Sequence, residues 1–194
     1  MSKQSQYKRL MFQAKLLLSS LVLSAAIVPH TSAHMMVAQH GTLNFKEDGV
    51  FMMLSLPVSA FDAIDDDGDG KMSAGEFIKH RAALVTAINE KVRLTDKEGS
   101  RPLQGLMLSP VASHEEPQAP NEQLVVMGRF ALASTDSATS DELTLHVGLF
   151  GKTADEQSLE MTATRKLGAD SAPEKYKFVL TPEQPETSLF TKKP

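Results

Sequence analysis

The chain has 194 residues, 41% of them hydrophobic and 23% charged, with no cysteine and a formal charge of −4. One domain is the natural size. The missing thiols exclude disulfide scaffolds, zinc knuckles, iron–sulfur sites and cysteine nucleophiles. The weakly acidic balance gives no footprint for a nucleic-acid partner.

Lys3, Lys8, Arg9 and Lys15 open the chain without a single acid, residues 16–28 are apolar, and Pro29 precedes the small residues Thr31, Ser32 and Ala33. That order is a secretory signal pattern over 1–33. The apolar run is shorter than the roughly 20 residues of a membrane helix, so no stable membrane insertion is expected after cleavage. The mature chain then begins at His34. Export without disulfides points to a bacterial periplasm or the cell exterior.

Residues 41–47 alternate, with Leu43 and Phe45 on one face, and Asp48-Gly49 reads as a two-residue hairpin turn. An apolar run over 50–56 reads as a buried strand. Pro57 is expected to open a short helix carrying Val58, Phe61 and Ile64 on one face. After an acidic loop, Phe77, Ile78, Leu84, Val85 and Ile88 form the apolar stripe of a second helix, fraying near Glu90.

Beyond it the period becomes two. Val92 and Leu94 start a strand, 96–100 is a turn, and 103–108 is a strand. The proline-bearing segment 109–122 is a surface loop, and 124–133 is a strand in which Gly128 marks a bulge. Leu143, Leu145, Val147 and Leu149 alternate, as do Leu159, Met161 and Ala163, then Tyr176, Phe178 and Leu180; 187–191 adds an edge piece. Eight or nine strands at this spacing predict an α+β chain, a mainly antiparallel, immunoglobulin-like β-sandwich over 34–194. The helical segment 57–89 is inserted between strands 2 and 3, and a domain split near Thr95 is the less favoured alternative.

The segment DDDGDGKMSAGE, residues 65–76, matches D-x-[DN]-x-[DN]-G-x5-E at every constrained position. Calcium is a hard ion that takes six to eight oxygens. Asp65, Asp67 and Asp69 offer short carboxylates, Gly70 permits the sharp turn, and Lys71 contributes its carbonyl. Ser73 offers a hydroxyl or a held water, and Glu76 closes the site with two oxygens. Met72 occupies the position where paired loops make a short strand contact. This segment resembles the EF-hand superfamily, and the layout as a whole is similar to small exported bacterial proteins with one such hand. The resemblance implies a calcium site built from Asp65, Asp67, Asp69, Lys71, Ser73 and Glu76.

EF-hands usually come in pairs, and no second loop is present. Residues 96–99 lack the spacing, and 136–147 lack a glycine at the sixth position. The hand is therefore expected to pack on its own β-domain or on a second chain, with a structural rather than a sensing ion. The expected function is an exported, non-catalytic calcium-binding module with an unknown protein partner. No G-x-S-x-G, P-loop or dinucleotide pattern occurs, and His114 lacks the H-E-x-x-H spacing because Gln118 stands where the second histidine would.

Two alternatives carry their own residues. One is a calcium-responsive partner binder exposing Phe77, Leu84 and Ile88. The other is a periplasmic copper protein using His34 as its N-terminus, with His40 or His146 and the soft ligands Met35 and Met36. Met52 and Met53 read as core filling, and His80, His114 and His146 as surface residues.

Overall fold

The computed structural model describes residues 39–46, 49–111, 121–132, 143–168 and 170–190. The expected signal segment 1–33, His34, Met35, Met36 and His114 lie outside them.

The elements in chain order are β1 (His40–Lys46), β2 (Gly49–Pro57), α1 (Ala74–Lys91), β3 (Val92–Asp96), β4 (Gly99–Arg101), β5 (Leu103–Val111), β6 (Gln123–Ala131), β7 (Thr144–Val147), β8 (Leu159–Arg165), β9 (Glu174–Leu180) and β10 (Glu186–Ser188). They form a six-stranded sheet, β5-β6-β2-β1-β8-β9, and a four-stranded sheet, β10-β7-β3-β4. One core cluster draws residues from both, including Leu43, Val50, Leu54 and Phe130 from the larger sheet and Leu94, Leu145 and Val147 from the smaller. The period-two alternation explains this, because successive side chains leave a strand on opposite faces. Leu143, Leu145, Val147 and Leu149 are all buried.

The pairing is antiparallel except between β1 and β8, which run parallel from His40↔Glu160 to Asn44↔Thr164. A parallel neighbour requires a crossover, here most of the chain length. Helix α1 supplies another crossing, leaving the larger sheet after β2 and delivering the chain to β3 of the smaller one.

Several expectations need correction. Lys46 pairs with Gly49, so Gly49 belongs to β2 rather than to a turn. Pro57 ends β2 opposite Gln123 and opens no α-helix. The ladder runs one step further, with the Val58 N–H donating to the Glu122 carbonyl at 3.0 Å. Only a 3-10 turn over Val58–Ala60 follows. Of the expected stripe on α1, Leu84 and Ile88 are buried, whereas Ile78 is 76% exposed. At about 100° per residue, residues 77, 84 and 88 share a line and residue 78 falls a quarter-turn away. The bulge does fall at the level of Gly128, but the extra residue is on β5, between Gln104 and Met107. Gly105 takes φ +60° there, a conformation glycine adopts without strain. Gly128 instead admits Leu103, whose Cδ1 would lie 2.8 Å from a Cβ at that position. Met52 is in the core, but Met53 stands on the opposite, outer face of β2.

Candidate metal centre

The path into the loop is bent and anchored. Phe61 and Ile64 are both buried, and Ala63 between them has φ +57°. A non-glycine residue in the left-handed region stops a helix from propagating. The entering helix expected over 57–64 is therefore replaced by the end of strand β2, the 3-10 turn and a bent segment that buries Phe61 and Ile64.

Within the loop the carboxylates fold onto the backbone. The Asp65 Oδ1 accepts from the Gly68 N–H at 2.7 Å and its Oδ2 from the Gly70 N–H at 2.9 Å. Asp67 Oδ1 accepts from the Asp69 N–H at 3.2 Å, and Asp69 Oδ1 from the Lys71 N–H at 2.7 Å. Gly68 and Gly70 both have φ +78°, which a side chain would oppose.

Met72 then turns inward and is 0% exposed. It forms an isolated antiparallel bridge with Asn121, each N–H donating to the other's carbonyl at 2.8 Å. The Asn121 Nδ2 also donates to the Met72 carbonyl at 2.9 Å. The short strand contact at Met72 thus comes from the segment leading into β6. Lys71 adds an ion pair to Glu122 at 2.9 Å.

Ser73 caps α1. Its Oγ accepts from the Glu76 N–H at 3.3 Å, and the Glu76 Oε2 accepts from the Ser73 N–H at 2.8 Å, a reciprocal capping box. The Glu76 Oε1 accepts from the Asp66 N–H at 2.7 Å, which ties the start of the loop to its end. Glu76 is 7% exposed.

Asp65, Asp67 and Glu76 each bring a carboxylate oxygen within 4.8 Å of the others. Asp69 stands outside that trio. Ser73 is committed to the cap, and the Lys71 side chain is directed to Glu122.

The electrostatics divide the acids. Glu76 is held below its ordinary pKa by the Ser73 and Asp66 N–H groups. Asp66 is held low by hydrogen bonds from Lys79 and His80. Its oxygens lie 2.8 Å from the Lys79 Nζ and 3.0 Å from the His80 Nε2. His80, expected at the surface, therefore belongs to the border of the loop. Asp67 goes the other way. The Asp69 N–H draws its carboxyl down, but desolvation and the negative charges of Asp69 and Glu76, with Asp65 alongside, outweigh this and raise it. Like charges gathered without a cation disfavour ionisation.

The trio is spaced so that one metal ion could be held by all three carboxylates. Oxygens bound at about 2.3–2.6 Å can be no more than roughly 5.2 Å apart across the ion. Glu76 keeps lone pairs for it, since a carboxylate has about four acceptor sites.

No family model matches the sequence, and no curated protein is similar to it.

The cap makes Ser73 a residue with two separable contributions. Ser73→Ala is expected to lower stability by about 1 kcal/mol, the ordinary loss of an N-cap. Its effect on calcium affinity is expected to be small, because the carboxylates remain. Denaturant unfolding in chelator checks the first expectation and a calcium titration the second.

Proposed function

We propose that residues 65–76 bind one calcium ion and that the protein is an exported, non-catalytic module stabilised by it. Asp65, Asp67 and Glu76 supply the carboxylates, with Asp69, the Lys71 carbonyl and Ser73 completing the set as in an EF-hand loop. The observation that carries the reading is the convergence of the three carboxylates within 4.8 Å. The raised Asp67 carboxyl supports it, since a cation would relieve the repulsion behind that shift. The site is then a hand with one helix, in which a strand and a buried turn replace the entering helix and the segment at Asn121 replaces the partner loop.

A structural ion is favoured over a switch. Leu84 and Ile88, which a responsive partner binder would have to expose, belong to the core cluster. Met72 and Ile64 fasten both ends of the loop to the same cluster. In this reading the ion neutralises the acidic loop and holds the β2–α1 connection against the sandwich. Extracellular calcium modules bind at about 10⁻⁴–10⁻³ M, which suits an exported protein.

The test is thermal unfolding in calcium, in magnesium and in chelator. With calcium at about 100 times its dissociation constant, stability rises by roughly 2.7 kcal/mol. For a chain of this length that is a shift of roughly 5–10 °C. Magnesium should give less. Binding of an apolar-surface dye should not increase with calcium. Identical melting curves in calcium and in chelator would overturn the proposal.

A further inference from the structure

The described methionines fall into two groups. Met52, Met72 and Met161 are buried in the core. Met53, Met127 and Met107 stand on the outer face of the larger sheet, in one row across β2, β6 and β5. Met53 pairs with Met127, and Met127 pairs with Met107. Directly opposed residues place their Cβ atoms about 4.5–5.5 Å apart. Each thioether reaches out on three rotatable bonds. The two flanking sulfurs can therefore close on the central one.

The β5 bulge is what completes the row. Gln104 pairs with Arg129, so an unbroken ladder would set Leu106 opposite Met127. The extra residue turns Leu106 against the core and puts Met107 in its place. Re-aiming a side chain is a common use of a bulge. The three methionines line one groove of about 450 Å³, and Met107 is 56% exposed, so an ion can enter from solvent.

One positive charge, Arg129, shares the lining of the groove. Arg129 lies next along β6 on the same face. Its Nε sits over Gly49, where any Cβ would collide with it, and its guanidinium lies 5.9 Å from the Phe51 ring centroid. Both contacts draw its guanidinium toward the Gly49 and Phe51 end of the groove, since Gly49 is on the far side of Phe51 from Met53 along β2.

We propose that Met53, Met107 and Met127 form a thioether site for a soft monovalent cation, Cu(I). Uncharged sulfur donors favour Cu(I) over zinc or calcium. The site lies apart from the acidic loop, so the two ions would be held by chemically opposite ligand sets.

The test uses the full chain labelled with ¹³C at the methionine methyls, titrated with Ag(I) as an air-stable stand-in and then with Cu(I) under anaerobic reducing conditions. The expected result is that the Met53, Met107 and Met127 methyl signals shift together and saturate at about one equivalent. The combined variant M53L/M107L/M127L should bind at least tenfold more weakly in competition with a Cu(I) chelator. Leucine is close in volume to methionine, so folding should survive. Should the combined variant fail to fold, M107L alone, at the most exposed position, is expected to weaken binding measurably. Shifts confined to other methionines such as Met35 and Met36, or parental affinity in the folded Leu variants, would overturn the proposal.

Discussion

Glu76→Gln is expected to weaken calcium binding by well over tenfold while leaving α1 capped. Altering a group that merely orients a ligand typically costs 10–100-fold in metal affinity, and Glu76 is assigned to the ion itself. Glutamine keeps an oxygen for the Ser73 or Asp66 N–H but loses the charge and one of the two oxygens now engaged at 2.8 and 2.7 Å. The chelator-treated variant should therefore melt somewhat below the chelator-treated parent, and the gap should widen when calcium is added. Calcium titration and melting of both proteins check this. Equal calcium affinities would remove Glu76 from the site.

Met72→Ala should give the largest loss of stability among changes in the loop, about 2–5 kcal/mol. Met72 is wholly buried in the core cluster and contributes no oxygen. Its main-chain bridge to Asn121 survives the substitution, so the damage is a cavity beneath the loop. Denaturant unfolding in chelator measures the loss directly. If calcium acts by fastening the loop to the sandwich, the ion should bind the folded variant with nearly parental affinity. A stability change below about 1 kcal/mol would mean that Met72 is not the anchor described.

The elements that could be read from sequence are those whose periodicity coincides with burial. Leu143 through Leu149 and Leu159 through Ala163 alternate because one face of each strand meets the core. Leu84 and Ile88 fall on the buried line of α1 for the analogous helical reason. The acidic loop was visible because short carboxylates and glycines at fixed offsets leave few other uses.

What could not be read was settled by contacts distant in sequence. Val58, Phe61 and Ile64 have helical spacing, yet they are buried from a 3-10 turn and a bent segment, because Pro57 and Val58 continue the ladder to Gln123 and Glu122. The parallel β1–β8 pair leaves no trace in either strand's own pattern. Met53 looked like core because Met52 beside it is core, and only the phase of β2 separates them. Asn121 falls in a proline-bearing segment without periodicity. The one available signal was that Met72 occupies a position wanting a strand partner, and Asn121 stands just before β6.

The most direct measurement is calorimetric titration of calcium into the chelator-treated protein, repeated on Glu76→Gln. The account predicts one site per chain, affinity toward the weak range of extracellular modules, and loss of the binding heat in the variant. No heat in the parent, or the same heat in the variant, would contradict it and leave residues 65–76 as an acidic turn held by its own backbone hydrogen bonds.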